Sequence, residues 1–222
     1  MEQNKSEIKE KIRAFWDNPY HNYDAGHGVH DPAEKEMWRD GMAQLLGPDK
    51  SKKILDIGTG TGFLALLLAE MGYDVTGVDW AKTKIQKAMD KATASKIKVN
   101  FEVQDAETLS FSDGSFDAVV SRHVIWTLAD PFGATRDWSR VVRPGGMVIA
   151  DVPHKKSHSG SHHFGEEVGK NLPFYNGAQP ESVAEMFKEA GLTNVDMIIL
   201  TKSDDQEKTT FLVHGNKDDL KA

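Results

Sequence analysis

The sequence predicts an α/β fold: a doubly wound, mostly parallel sheet that ends in an antiparallel hairpin. Short apolar segments alternate with amphipathic ones along most of the 222 residues, which is typical of parallel strands with helices on both faces. A glycine-rich turn joins the first apolar segment to a helix, as at the ligand-binding edge of such sheets. The last two strand-like segments have only a short polar connection, which favours antiparallel pairing.

The same patterns place the elements in order within one domain. We divide it into an N-terminal helical cap (1–52), a ligand-binding core (53–152), an insert (153–179) and a C-terminal helix and hairpin (180–222). Helices are predicted at residues 7–16, 33–46, 63–71, 82–94, 132–142 and 180–190. Strands are predicted near residues 54 and 75 and at 99–103, 118–121, 147–152, 195–200 and 209–215.

The stretch Ile-Leu-Asp-Ile-Gly-Thr-Gly-Thr-Gly at residues 54–62 is the most informative segment. Its three glycines allow a tight turn that lies against a ligand without a Cβ in the way. The third glycine comes one residue too early for a dinucleotide fingerprint, and Asp56 directly before the turn would repel a pyrophosphate. A second strand ends in Asp79, where doubly wound folds bind a ribose. The pattern therefore favours a cationic, ribose-bearing cofactor.

These residues resemble the first motif of the class I S-adenosylmethionine-dependent methyltransferases. The resemblance continues through Val103 to Val120 and through the Arg-Val-Val-Arg-Pro-Gly-Gly turn at residues 140–146. The nearest branch is the broad group that includes the ubiquinone and menaquinone biosynthesis enzymes. The resemblance implies a Rossmann-like, seven-stranded sheet, S-adenosyl-L-methionine as cofactor, and direct methyl transfer to a small molecule with release of S-adenosylhomocysteine.

The resemblance also implies roles for individual residues. Asp79 accepts hydrogen bonds from the ribose hydroxyls, or alternatively caps the helix after Ala81. Trp80 flanks the adenine, or packs in the core. Asp105 and the backbone N–H of Ala106 read the adenine edge, or form an ordinary turn. The remaining cofactor residues lie in the loop beneath the methionine part of the cofactor or in segments beside its sulfonium. They are Asp56, Gly58, Thr59, Gly60, Gly62, Ser121, Arg122 and Tyr23.

Two residues of the predicted site depart from what the family leads us to expect. Arg122 stands where a small or apolar residue is usual, so it either binds a carboxylate or forms a structural ion pair. Trp126 indicates an apolar or cationic substrate face, or else anchors the helix at 132–142 as core. His30 is assigned to the same substrate face.

Histidine is the side chain best suited to take up a proton near neutral pH, so His27, His123 and His154 are the candidate bases, with His30 as a further one. None of them has a partner visible in the sequence. The insert also carries His158, and a helix would place it on the same face as His162. The serines and the glycine between them favour a loop, however, so we predict no metal site. The insert and the turn at residues 17–29 are predicted to cover the cofactor.

The composition excludes or disfavours several classes of function. A net charge of −7 disfavours nucleic acid as a partner, and the absence of cysteine excludes thiolate chemistry. The sequence shows no signal peptide and no apolar run long enough for a bilayer, so a cytoplasmic monomer or homodimer with a small-molecule acceptor and no membrane partner is expected. The alternatives are a binding protein without turnover and, less favoured, an NAD-type oxidoreductase.

Overall fold

The structure, a computed structural model, describes residues 2–20, 23–26, 30–153, 164–202 and 205–219 of the chain. Seven strands form one sheet in the order β3-β2-β1-β4-β5-β7-β6. The first five are parallel, and β7 runs antiparallel to both β5 and β6. The strands are β1 (Lys53–Ile57), β2 (Asp74–Asp79), β3 (Asn100–Val103), β4 (Phe116–Ser121), β5 (Val142–Pro153), β6 (Leu192–Lys202) and β7 (Asp205–Lys217).

Eight α-helices and one 3₁₀ helix, Ile125–Thr127, are present in the described residues. None of the helices there is both long and apolar enough to cross a membrane. The α-helices are α1 (Glu2–Trp16), α2 (Tyr23–Gly26), α3 (Pro32–Leu46), α4 (Phe63–Glu70), α5 (Lys82–Ser95), α6 (Pro131–Val141), α7 (Gly165–Gly169) and α8 (Pro180–Glu189).

The two faces of the sheet carry separate apolar cores, because successive side chains of a strand point to opposite faces. Leu55 and Ile57 of β1 belong to a core that includes Phe187 of α8. Ile54, which precedes Leu55 on the strand, belongs to the opposite core, together with Met42 of α3. All three β1 residues are fully buried, which explains the continuous apolar run that marked this strand in the sequence. The predicted doubly wound, mostly parallel sheet with an antiparallel hairpin is confirmed.

Several predicted boundaries are wrong. β5 begins at Val142, earlier than predicted, because Val142 already pairs with Phe116; the predicted turn lies within the strand as a register shift before Met147, where Gly145 has φ of 74°. β6 begins three residues before the predicted start, since Leu192 pairs with Lys217. The N-terminal turn contains the short helix α2, and the insert contains α7.

A third, smaller apolar cluster joins α1 to the rest of the molecule. Ile8 and Ile12 of α1 pack there against Trp126, Val168 and Tyr175. These residues come from segments that are far apart in the chain, so the amphipathic pattern of α1 is satisfied only when the insert is folded against it. The cluster places the end of α1 beside the carboxyl edge of the sheet.

Candidate functional site

A cavity opens at the carboxyl ends of the parallel strands, where a doubly wound sheet binds its ligands. It holds about 880 Å³ of empty space, open solvent included. The walls come from the glycine loop after β1, the ends of β2 and β4, the segment after β3, and α1. They comprise Trp16, Asp56, Gly58, Thr59, Gly60, Thr61, Phe63, Leu64, Asp79, Trp80, Lys84, Asp105, Ala106, Glu107, Arg122, His123, Val124, Thr127 and Leu128.

The three loop glycines meet different requirements, although all have positive φ. A Cβ on Gly58 would lie 2.3 Å from Cγ2 of Val124, so this position is closed by packing. A Cβ on Gly62 would meet Ala88 at 3.1 Å, which keeps α4 close to α5. At Gly60 the nearest atom is the Gly58 carbonyl oxygen, 3.9 Å away. Gly58 and Gly60 both line the cavity, but of the two only Gly60 has open space at its Cβ position, and Gly62 does not belong to the described lining.

Two carboxylates at the ends of neighbouring strands hold the loop in shape. Asp56 lies beneath it, and its Oδ2 accepts the Thr59 hydroxyl at 2.6 Å. Asp79 accepts the backbone N–H of Gly60 at 2.9 Å through Oδ2 and that of Ala81 at 2.8 Å through Oδ1. An ionised carboxylate accepts about four hydrogen bonds, so Asp79 retains acceptor capacity toward the cavity. Asp79 fulfils the helix-capping alternative only in part. It accepts the N–H of Ala81, but Ala81, and not Asp79, is the residue directly before α5.

The surroundings of Asp56 and Asp79 raise the pKa of both carboxylates. Burial raises the pKa of Asp56 to about 7, and the charge of Asp79 adds to that rise, while the Thr59 hydroxyl and Arg122 oppose it. Burial also raises the pKa of Asp79 to about 6 against the two backbone hydrogen bonds that it accepts. A cation placed in the cavity would favour the ionised form of each, because opposite charges stabilise one another at short range.

The predicted adenine-edge residue Asp105 is engaged by the N-terminal helix. Its Oδ2 lies 2.5 Å from Nζ of Lys9 in α1, and its Oδ1 accepts the N–H of Glu107 at 2.9 Å. Lys9 also lies 3.3 Å from the Glu107 carboxylate. Burial lowers the pKa of Lys9, but the hydrogen bond and charge of Asp105 outweigh this and leave the pKa raised. Ala106 lines the cavity beside this ion pair.

Arg122 lies in the wall of the cavity and forms the ion pair that was one of its two predicted roles. Its guanidinium donates to Glu34 of α3 at 3.1 Å. The same group lies over the ring of Phe63 at 4.4 Å and near that of Trp38 at 5.3 Å. Glu34 is also bound by the Trp38 indole N–H at 2.9 Å. The ion pair and the aromatic contacts account for the burial of a charged side chain here.

His123 follows Arg122 on the cavity wall and has a carboxylate neighbour that the sequence did not reveal. Its backbone N–H donates to Asp151 Oδ1 at 2.6 Å, and its ring Nε2 lies 3.4 Å from Asp151 Oδ2. Burial raises the pKa of Asp151 to about 7, and the N–H of His123 and the charge of Arg122 oppose that rise.

Trp126 and Ser121 are buried but do not belong to the described lining of the cavity. Trp126 stacks on Phe164 at 5.5 Å between ring centroids and meets Trp16 edge to face at 6.1 Å. The core alternative accounts for these contacts, although the partners are α1 and the insert, not the helix at 132–142. Trp16, which the sequence interpretation missed, reaches the cavity from this cluster, as does Trp80.

The N-terminal turn touches the glycine loop through α2. Asp24 accepts the Thr61 hydroxyl at 2.5 Å and pairs with Lys91 of α5 at 2.7 Å. The backbone of Tyr23 begins this helix, and its side chain lies outside the described structure, as does all of His27. His30 is exposed and is not part of the described lining. The cofactor role predicted for Tyr23 and the substrate role predicted for His30 remain predictions.

The histidines of the insert, His154 and His158 among them, lie outside the described residues. Within the part of the chain that is described, no group of three or more histidine, aspartate and glutamate side chains is arranged to hold a metal ion. Sequence reasoning missed Lys9, Asp24 and Asp151 as well as Trp16, and the first three each contact a residue far away in the chain. For Asp151 the available signal was an acidic residue inside the apolar segment predicted as a strand at residues 147–152.

Residues 55–150 match the family model described as "Methyltransferase domain". A ubiquinone/menaquinone biosynthesis C-methyltransferase of Bdellovibrio bacteriovorus is 32% identical over 148 residues, 66% of this chain and 63% of that protein. The matched region of the chain is a methyltransferase domain of the class I S-adenosylmethionine-dependent type. A demethylmenaquinone methyltransferase of Staphylococcus aureus is 28% identical over 84% of this chain and 87% of its own length. A demethylmenaquinone methyltransferase of Thermus thermophilus is 40% identical, but the match spans only 52% of this chain and 54% of that protein.

A solved structure shares the fold. A protein from Pyrococcus horikoshii superposes with a TM-score of 0.68 at 20% identity, over 89% of this chain and 97% of its own. The region matched by the family model begins within β1 and ends within β5, so it contains the glycine loop and most of the cavity. The methyltransferase resemblance seen in the motifs is thereby confirmed, whereas the cap and the insert lie outside the matched domain.

Proposed function

We propose that the protein transfers the methyl group of S-adenosylmethionine to a small molecule and releases S-adenosylhomocysteine. The observation that carries the proposal is the pairing of an open Gly60 with Asp79 at the ends of adjacent parallel strands. The first gives the ligand access to backbone, and the second offers acceptors for ribose hydroxyls. An NAD-type cofactor fits less well, because Asp56 lies under the position of a pyrophosphate.

The donor set suits a ligand with a positive charge and a purine. Asp56 and Asp79 supply negative charge at one side of the cavity. Asp105 and Ala106 line the side nearest α1, where we assign the adenine, and Trp80 supplies an aromatic surface. When bound, the cofactor supplies an activated methyl group, so the chain has to align the acceptor, exclude water and receive any proton released.

The acceptor is assigned to the part of the cavity between Trp16 and His123, where Val124, Thr127 and Leu128 also form the wall. This lining is mostly apolar, and the curated relatives are named for quinone substrates. We therefore favour a small aromatic acceptor, without nucleic acid as a partner. The predicted cytoplasmic monomer or homodimer is part of this proposal and rests on the sequence.

The experiment is a comparison of ligand binding by thermal shift and calorimetry. S-adenosylhomocysteine should raise the melting temperature, since a ligand that binds only the folded state stabilises it, and NAD should not. Asp79→Ala should weaken binding of S-adenosylhomocysteine by roughly 2 to 4 kcal/mol, because the charge-assisted bonds to two ribose hydroxyls are lost together.

Asp113→Ala is the matched control, because this exposed aspartate pairs with Arg140 away from the cavity. It should bind the ligand as the parent does. A larger thermal shift with NAD than with S-adenosylhomocysteine would reverse the cofactor assignment. Parental affinity in a folded Asp79→Ala variant would remove the ribose role.

A further inference from the structure

The ends of β4 and β5 bring His123 and Asp151 together as a histidine–carboxylate pair. Only 1% of the Asp151 side chain and 13% of the His123 side chain are exposed. One carboxylate oxygen accepts the His123 backbone N–H at 2.6 Å, and the other lies 3.4 Å from the ring Nε2. The same carboxylate therefore binds the backbone of this histidine and lies beside its ring.

The backbone of His123 is in the left-handed region, with φ of 62°. A residue with a Cβ pays roughly 1 kcal/mol for this conformation, and such residues persist where surrounding contacts hold them. The hydrogen bond from the His123 N–H to buried Asp151 is a contact of that kind. The turn places the imidazole on the wall of the cavity, whereas Asp151 itself does not belong to the described lining.

The charges around the pair come from three directions. Arg122 precedes His123 and lowers the pKa of Asp151, while Glu34 of α3 raises it, and Asp56 shares the cavity with the ring. Burial raises the pKa of the Asp151 carboxyl to about 7, so this group changes its charge in the neutral range beside the ring of His123. A proton on Nε2 faces Asp151, and the lone pair of the neutral ring then resides on Nδ1.

We propose that Asp151 is a positioning residue that holds His123 to accept the proton of the methyl acceptor, and that this acceptor carries an acidic hydroxyl, as phenols and enols do. The inference rests on the proposed methyl transfer. The hydroxyl proton passes to Nδ1 of His123. The electron pair left on the acceptor forms the bond to the methyl carbon, and the carbon–sulfur pair leaves with sulfur. The carboxylate of Asp151 stabilises the imidazolium that results.

A purely structural pair would make a different prediction. Asp151 reaches the reactants only through the ring of His123, so removing its charge should change proton uptake while leaving cofactor binding intact. A structural role would instead change stability and leave the protonation of a bound hydroxyl unaffected.

The test uses the full chain with S-adenosylhomocysteine and 4-nitrophenol, a phenol whose anion is visible by its absorbance. Asp151→Asn keeps an oxygen for the His123 N–H and removes the charge. His123→Asn is the ring deletion best suited to the position, because asparagine tolerates positive φ. Asp196→Asn is the matched control, since Asp196 neighbours His214 across β6 and β7, outside the described cavity lining.

In the wild-type complex we expect the apparent pKa of 4-nitrophenol to fall by about one unit below that of the free phenol, because the proton is taken up by His123. His123→Asn should abolish the fall, Asp151→Asn should reduce it at least by half, and Asp196→Asn should leave it unchanged. Histidine nuclear magnetic resonance on the same samples should show that His123 takes up its proton at a lower pH in Asp151→Asn.

Calorimetry with S-adenosylhomocysteine distinguishes a failure of the proposed methyl transfer from a failure of the role proposed for His123 and Asp151. If no form of the protein binds it, the proposed function fails. If it binds and 4-nitrophenol shows no fall in apparent pKa in the wild type, or the same fall in Asp151→Asn, the role of the pair is wrong. An unchanged His123 titration in Asp151→Asn would overturn the positioning role even if His123→Asn did not fold.

Discussion

The glycine loop and helix α1 both contribute to the wall of the same cavity, but different interactions hold them. The loop is set by positive φ values, by packing of Gly58 on Val124, and by backbone hydrogen bonds to Asp79. Helix α1 is held by a small apolar cluster and by side-chain ion pairs such as Lys9 with Asp105. Backbone geometry next to a buried core is stiff, whereas a helix held by a few contacts opens more readily. We infer that the loop is a preformed floor and α1 the part that moves.

The largest effect should come from adding a methyl group to the floor. Gly58→Ala should cost about 3 kcal/mol of unfolding free energy, because the left-handed backbone and the contact with Val124 both oppose the Cβ. Gly60→Ala should cost only about 1 kcal/mol, since it has the φ penalty without the collision. Urea unfolding measures both.

The effect of a glycine variant on ligand binding should differ from its effect on stability. Gly60→Ala, still folded, should bind S-adenosylhomocysteine about tenfold more weakly, because its Cβ faces the cavity. Equal stability of the two variants would mean that Val124 moves aside easily and that the floor is not stiff.

A smaller effect should come from the pH. Burial raises the pKa of Asp56 to about 7 and that of Asp79 to about 6, both above their ordinary value, so each carboxylate gains a proton as the pH falls through this range. A cationic ligand favours the ionised forms. The affinity for S-adenosylmethionine should therefore fall several-fold from about pH 7.5 to about pH 5.5, as calorimetry would show.

Asp56→Asn sharpens the pH experiment, because it removes the group that gains its proton first as the pH falls. The loss of affinity should then begin nearer the pKa of Asp79, about 6. An affinity that is flat over the whole range would show that neither carboxylate meets the charge of the ligand.

The smallest effect on overall stability is expected for helix α1, the other part of the cavity wall. Lys9→Met should change the unfolding free energy by no more than about 1 kcal/mol, yet increase hydrogen exchange within α1 several-fold, because its bonds to Asp105 and Glu107 hold the helix over the cavity. S-adenosylhomocysteine should slow exchange in α1 of the parent protein while the strands barely change.

Lys11→Met is the control for this variant. Lys11 is on the same helix and pairs with Glu167, but those side chains are 49% and 84% exposed, so solvent screens the pair. Its exchange should match the parent. If Lys9→Met and Lys11→Met behaved alike, the helix would be held by the apolar cluster alone, and the contrast between the two walls would be one of degree.

The two walls also differ in how far the sequence predicted them. The positions of Gly58 and Asp79 on the cavity were predictable, because each depends on neighbours within one strand, turn and helix unit. Asp105 was placed there as well, but its partner Lys9 was not foreseen, since it is a lysine of a polar helix nearly a hundred residues earlier. Trp126 could be interpreted as substrate contact or core, and only its neighbours Trp16 and Phe164 favour the core.

By itself the sequence determined the class of fold, the elements along the chain in outline and the resemblance to a family, because apolar periodicity, turn residues and the glycine motif are local and survive in any context. Tertiary structure alone decided which charges meet. The pairing of His123 with Asp151 spans 28 positions and depends on β4 lying beside β5. Side-chain chemistry of that kind acts over a few ångströms in space, and distances along a chain do not encode it until the sheet has formed.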